Sequence, residues 1–349
     1  MKDDFITVDE WDWIIDDPAR LEPWFSIRED AEEKFLLYRD GCLAAFKTAD
    51  TSGRSYYVHH ETPDSFAKHV KALFGSKAKD LYSSAEILKA HNIPSVQYPG
   101  WGKCGTESMI ISEEVPDAVN ALEYWFSIVP HNHVLRLEFL SKLSELIGTL
   151  CNNTLVLRDF SLRNILVRNN GSEMLIVDAS HVEERENALS REEKLLLLRP
   201  FAEMRGELSA DDATIAILDS GVVTDSQEAS ELWDEVVDAQ EEYINNDLWP
   251  QIEAHLLSEA PTLFYRCIPM EGGMKYVRNS LWYKERPLPD DTNSYAEELP
   301  EEEAKKIWLN AIKAQLTRDP VSREPLVWEH YEDDRKDIIR YDAETVAEV

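Results

Sequence analysis

Residues 155–178 read LVLRDFSLRNILVRNNGSEMLIVD, and this stretch decides how the rest of the chain is interpreted. Leu155-Val156-Leu157 is an apolar triplet, followed at once by Arg158-Asp159. After Asn164 comes a second apolar run, Ile165-Leu166-Val167. Asn169-Asn170-Gly171-Ser172 then forms a polar break, and Met174 to Val177 returns to end on Asp178. Asn and Gly tolerate positive φ, so the break predicts a hairpin between two short strands. Two carboxylates and one carboxamide thereby sit at the ends of a short ribbon.

Such a set of oxygen donors suits a hard divalent cation carrying a polyphosphate. Mg²⁺ takes oxygen ligands, usually one or two carboxylates with phosphates and water. The spacing assigns Asn164 and Asp178 to the metal and leaves Asp159 to orient or deprotonate an attacking hydroxyl. The competing interpretation is an ordinary surface hairpin with two solvated Asp residues. Asp159-x4-Asn164, a hairpin and then Asp178 resembles the catalytic loop and metal-binding Asp of protein-kinase-like enzymes. Two positions depart from that pattern. Leu157 stands where a His precedes Arg-Asp, and Ala179-Ser180 stands where Phe-Gly follows the metal Asp.

Composition narrows the alternatives. The chain has 349 residues, 43% of them hydrophobic, and ten Trp, which suits one large or two modest globular domains. A formal charge of −32 argues against nucleic acid as a partner, and it leaves at most transient contact with an anionic membrane surface. No apolar run is long enough for a transmembrane segment, and the acidic start MKDDFITVDEWDW lacks a signal-peptide core. Cys42, Cys104, Cys151 and Cys267 are far apart with no CxxC, which predicts reduced thiols and a cytoplasmic location.

In chain order, residues 1–33 are an acidic, Trp-rich extension expected to strap onto a first sheet. Lys34–Tyr38, Leu43–Lys47 and Arg54–His60 are predicted strands, separated by Asp40-Gly41 and Asp50-Thr51-Ser52-Gly53. Phe66–Ala90 is predicted helical, between Pro63 and Ile93-Pro94, and its first half carries Lys68, His69, Lys71, Lys77 and Lys79. That basic cluster is either a solvated face or a surface for phosphate. Val96–Tyr98 and Glu107–Val115 are further strand candidates. Val134–Leu150 has apolar residues at three- and four-residue steps and predicts an amphipathic helix capped near Asn152-Asn153. Candidate helices then follow at Leu195–Leu198, Trp233–Tyr243, Ile252–Leu257 and Ala304–Ile312. Trp282, Tyr283, Trp308 and Trp328 are expected in the core.

Tyr56-Tyr57-Val58, Ser76-Lys77-Ala78, Ala85-Glu86-Ile87-Leu88 and Asn92-Ile93-Pro94-Ser95-Val96, in that order, resemble the lipopolysaccharide kinase (Kdo/WaaP, InaA-like) family. The resemblance covers roughly Tyr38 to Val182. It implies an α+β, bilobal protein-kinase-like fold with an antiparallel five-stranded N-lobe at 34–115 and a mainly helical C-lobe at 116–349. It also implies transfer of phosphate from ATP, with Mg²⁺, to a sugar hydroxyl of a lipopolysaccharide core. Adenine would meet the main chain around Ser112 to Val115, which makes Glu113 and Val115 nucleotide-site residues.

One departure bears on activity. The strand position that holds the ATP-binding Lys in the family is His59 here. A neutral imidazole cannot replace an ammonium beside the α- and β-phosphates. Lys47, on the preceding strand, is the candidate substitute. The alternative to an enzyme is therefore a pseudokinase, a binding or scaffold module with an altered nucleotide site. A small-molecule acceptor in place of a sugar fits the same motif.

Overall fold

The computed structural model describes residues 5–22, 24–25, 36–40, 43–63, 76–127, 132–205, 207–250, 253, 265–278, 294–317, 325–331 and 336–342. The first sheet contains β1 (Ile6–Val8), β2 (Trp11–Ile15), β3 (Leu36–Asp40), β4 (Leu43–Ala49), β5 (Ser55–Glu61), β6 (Gly100–Cys104) and β7 (Glu107–Glu113). Its spatial order is β1-β2-β6-β7-β5-β4-β3, and every neighbouring pair is antiparallel.

The sheet has seven strands where five were expected. The added pair comes from the acidic lead-in, which is a hairpin and part of the sheet. Val8 pairs with Trp11 across a two-residue turn, Asp9 and Glu10, at φ 51° and 73°. Turns of this kind normally carry Asn or Gly, so Asp-Glu gave no hairpin signal. Trp11 and Trp13 alternate inward as a strand requires, and with Trp24 they pack on Phe46, Tyr56, Val58 and Ile111. The strand expected at Val96–Tyr98 lies later, at Gly100–Cys104; Ser95 makes only an isolated parallel bridge to Ile176. Gly102 pairs with Trp13, and a Cβ there would come within 2.6 Å of the indole.

The other face of the sheet is covered by α1 (Lys77–Ala90), whose Ala78 and Leu81 pack on Trp101 and Ile110. Ser76 caps its first turn by accepting from the Lys79 N–H at 3.2 Å. Of the basic cluster, Lys68, His69 and Lys71 lie outside the described residues. The far end of α1 enters the largest core, where Leu88 and Ile93 join α2 (Ala121–Ser127) and α3 (His133–Asn152). Around α3 lie β8 (Val119–Asn120), β9 (Leu155–Leu157), β10 (Ile165–Arg168), β11 (Glu173–Ile176) and β12 (Val182–Glu184). β11, β10 and β8 form one small sheet, and β12 and β9 another. The helices α4 (Arg191–Ala202), α5 (Ala210–Asp219) and α6 (Ser226–Tyr243) complete this core.

Beyond residue 264 the expectation of a mainly helical remainder is corrected. β13 (Tyr265–Met270), β14 (Gly273–Arg278), β15 (Ser294–Leu299), β16 (Pro325–Tyr331) and β17 (Asp337–Asp342) build a five-stranded antiparallel sheet in the order β13-β14-β16-β17-β15. One helix, α7 (Glu301–Thr317), packs Ala304, Trp308 and Ile312 onto Tyr265, Tyr276, Trp328 and Tyr341. Asp337 is buried and accepts from Trp328 Nε1 at 2.8 Å and from the Tyr331 N–H at 3.1 Å. Those polar brace contacts interrupt the apolar alternation a strand normally shows. Ile252–Leu257, Trp282 and Tyr283 fall outside the described residues, apart from Glu253; Trp308 and Trp328 are core. Among the described residues no helix is long and apolar enough to cross a membrane.

The Trp13–Gly102 contact yields a stability test. Gly102→Ala should lower stability by about 1–3 kcal/mol, because the added methyl overpacks against a rigid, fully buried indole. Urea denaturation measures it. An unchanged midpoint would mean that the ring is not seated on this glycine.

Candidate functional site

The loop from Arg158 to Asn164 is held by burying its apolar side chains. α3 ends at Asn153, and Thr154 turns the chain at φ 52°. Its Oγ1 donates to the Arg185 carbonyl at 2.7 Å, and the Arg185 N–H donates back to the Thr154 carbonyl at 2.9 Å. Leu155, Val156 and Leu157 are all buried, as are Phe160 and Leu162, whereas Arg158 and Asp159 are exposed. The Leu162 N–H donates to the Glu203 carboxylate at 2.6 Å. Four residues separate Asp159 from Asn164, and Asn164 Nδ2 closes the loop on the Asp159 carbonyl at 2.8 Å. With Nδ2 so used, Oδ1 is the amide atom available to a cation.

The hairpin expected from Asn-Asn-Gly is present. Ile165 pairs with Ile176 and Arg168 with Glu173, and Asn169, Asn170 and Gly171 take φ of 52°, 55° and 94°. The Val177 N–H donates to the Asn164 carbonyl at 2.9 Å, locking the return strand to the loop. Asp178 then adopts φ 55°, an uncommon conformation that Asp tolerates better than most residues. Its N–H donates to the Tyr98 hydroxyl at 3.2 Å. Burial pushes the Tyr98 phenol up, with the Asp178 charge adding to it, so the ring stays a neutral hydrogen-bonding post.

Ser180 links the two carboxyl-bearing residues. Its Oγ donates to Asp159 Oδ2 at 3.1 Å, and its N–H donates to the Asp178 carbonyl at 2.8 Å. Asp159, Asn164 and Asp178 are thus linked along the backbone by hydrogen bonds through main-chain carbonyls and Ser180. Among the described residues no three His, Cys, Asp or Glu side chains gather as a metal cluster. The donor set here is one carboxylate and one carboxamide, chemically suited to an ion that keeps water and phosphate in its shell.

Lys77, at the start of α1, places Nζ 3.9 Å from Asp178 Oδ2, with each side chain about half exposed. His59 is close enough to feel both charges. Burial is the main influence and lowers its pKa, the Lys77 charge lowers it further, and the Asp178 charge partly offsets them. The imidazole is therefore neutral at pH 7.

Lys47, Glu113 and Val115 sit further along the same region. Lys47 pairs with Tyr57 in the ladder, two residues from His59, about 7 Å along a strand. Its Nζ is 2.7 Å from Glu114, which also accepts from the Tyr57 hydroxyl at 3.3 Å and raises the lysine's pKa by hydrogen bonding. Glu113 faces Arg20 at 3.4 Å and Arg54 at 3.9 Å, and its N–H donates to the Gln97 carbonyl. The Glu114 N–H donates to the Ser55 carbonyl. Ser180 and Tyr98 were missed from sequence. Ser180 stood only as a departure from a motif, and Tyr98 is 80 residues from the atom it contacts. Lys77 had a signal, the basic cluster, but not an address.

A second ionic group supports the loop from behind. Arg158 Nε lies 2.7 Å from Glu183, and Arg185 lies 2.6 Å from both Glu183 and Glu193. Glu193 also completes a capping box with Ser190 at the start of α4.

No protein-family model matches the chain, and no curated protein matches it. Among solved structures the chain is similar to WaaP in complex with acyl carrier protein, at 14% identity and a TM-score of 0.49, covering 71% of this chain and 99% of that one.

Tyr98→Phe tests the seating of Asp178. It removes the acceptor of the part-buried Asp178 N–H and should cost about 0.5–1.5 kcal/mol. Chemical denaturation gives the value; a variant as stable as the parent would show that the hydroxyl does not hold this turn.

Proposed function

We propose that this chain is an ATP- and Mg²⁺-dependent phosphotransferase of protein-kinase-like architecture, acting on an alcohol. The observation that carries the reading is the hydrogen-bonded group Asp159–Asn164–Ser180–Asp178, set opposite His59 and Lys77. In this reading residues 34–115 act as one lobe, with 1–33 as its extension, and residues 116–349 as the other. Asn164 Oδ1 and the Asp178 carboxylate hold the metal. Bound Mg²⁺ offsets charge on the transferring phosphoryl group. Asp159, exposed and oriented by Ser180, positions the acceptor hydroxyl and takes its proton.

The nucleotide base lies on the side of β5 and β7 away from Asp178. With the N–H groups of Glu113 and Glu114 already used within the protein, Val115 is the main-chain contact we assign to adenine, and Glu113, Lys47 and His59 flank the nucleotide. The acceptor we favour is a sugar hydroxyl of the lipopolysaccharide-core kind, on the sequence resemblance. Free thiols at Cys104 and Cys151 fit a cytoplasmic setting.

His59 is the specific observation behind a second reading, a pseudokinase that binds partners and transfers nothing. Thermal melting with ATP separates the two, because a ligand of the folded state raises the midpoint. The enzyme reading expects a shift that requires Mg²⁺ and disappears in Asp178→Ala. Asp159→Ala should keep the shift but lower phosphate transfer by about 10²–10⁴-fold. Wild-type turnover in Asp178→Ala, or no response of the parent chain to ATP, would rule the enzyme out.

A further inference from the structure

The strand position that would supply a phosphate-binding ammonium carries a neutral His59, so the site as described lacks its central cation. The geometry points to Lys77 as the replacement: a lysine moved from the strand to the first turn of α1, whose ammonium contacts the polyphosphate of the nucleotide. This rests on the phosphotransferase reading and deepens it.

Three observations place the ammonium there. Lys77 Nζ is 3.9 Å from Asp178 Oδ2, and both groups are within electrostatic reach of His59. The charge therefore stands at the Asp178 carboxylate, near enough to His59 to act on its proton. The pair is also loose. A separation of 3.9 Å is longer than a charge-assisted hydrogen bond, and half-exposed pairs contribute little. Lys77 can therefore leave Asp178 at small cost when a cation takes that carboxylate. Finally, the backbone that carries it is fixed. Ser76 caps the helix start, and the neighbouring Ala78 and Leu81 are buried on the sheet.

The other described candidate is occupied. Lys47 is held by Glu114 at 2.7 Å, and its ammonium also lies 5.5 Å from the centre of the Tyr57 ring. Lys47 therefore sits with a carboxylate of its own, about two residues along the sheet from His59. Lys79 is on the same turn as Lys77, but two residues on a helix do not face the same way.

Calorimetric titration of the full chain with Mg²⁺-ATP, and separately with adenosine, tests the assignment. Lys77→Met should weaken Mg²⁺-ATP by about 10- to 100-fold, as loss of a charged hydrogen bond to phosphate would, and leave adenosine affinity unchanged. Lys77→Arg should retain most of the affinity, and Lys142→Met, at a part-exposed lysine of α3 paired with Glu145, should bind Mg²⁺-ATP within about threefold of the parent. The assignment is overturned if Lys77→Met binds Mg²⁺-ATP as the parent does. It is also overturned if that variant loses adenosine to the same degree, since the role would then not be phosphate contact. In either case the parent's own binding leaves the phosphotransferase reading standing. A parent chain that binds neither probe removes that reading and the assignment together.

Discussion

The bond from Asn164 Nδ2 to the Asp159 carbonyl is the contact on which the site depends. It closes the excursion from Asp159 to Asn164, which leaves the Asp159 side chain exposed. An exposed loop cannot be ordered by its own outward residues, and each residue fixed costs about 1–2 kcal/mol of backbone entropy. Burial of Phe160 and Leu162 offsets part of this, and the Glu203 carboxylate holds the Leu162 N–H. The amide then sets the distance between Asp159 and the ribbon. Because the Asn164 carbonyl also takes the Val177 N–H, loop and return strand share one residue, and Asp178 cannot move independently of Asp159.

A second constraint runs through α1. Its first turns pack on Trp101 and Ile110 of the first sheet, while Leu88 belongs to the large core around α3. Between them, the Ser84 hydroxyl accepts from the Val182 N–H at 3.1 Å, joining the helix to the segment just after Asp178. Pro94 and Val96, just beyond the helix, exchange hydrogen bonds with Ile176 of β11. The helix therefore carries Lys77 at one end and is tied to the ribbon at the other. A shift of α1 along its axis changes the Lys77–Asp178 separation directly.

The central hairpin was legible because its signals are local. Two apolar triplets, an Asn-Asn-Gly turn and three oxygen-bearing residues at fixed spacing all lie within 24 residues of sequence. α3 was equally plain from its apolar spacing, with the end placed near Asn153 as the cap requires. The β1–β2 hairpin was hidden because Asp9-Glu10 takes positive φ without Asn or Gly. The sheet beyond residue 264 was hidden for another reason. Pro269 lies in β13, an edge strand where a missing N–H is tolerated, and Arg278 and Asp337 are buried polar residues at strand positions. Neither pattern alternates cleanly between apolar and polar. Within the site, residue types were readable and partners were not, because Tyr98 to Asp178 and Lys77 to Asp178 are contacts between distant parts of the chain.

For the phosphotransferase proposed above, electrostatics imply an order of binding. A chain of charge −32 repels a polyphosphate at long range. At physiological ionic strength that repulsion is screened beyond about 8 Å, so the nearby groups decide whether an anion can settle. Among the described residues those groups include Asp159, Asp178 and Lys77, with a neutral His59 nearby. On these charges alone the site disfavours free ATP. A divalent cation on Asp178 reverses the balance: it neutralises the carboxylate and frees Lys77 from its ion pair. In the proposed phosphotransferase, metal and nucleotide would therefore stabilise each other's binding, and by linkage each would tighten the other by the same factor. An intact ammonium at position 59 would weaken that coupling, because the cation would already be present. The neutral histidine makes the site depend more heavily on its metal.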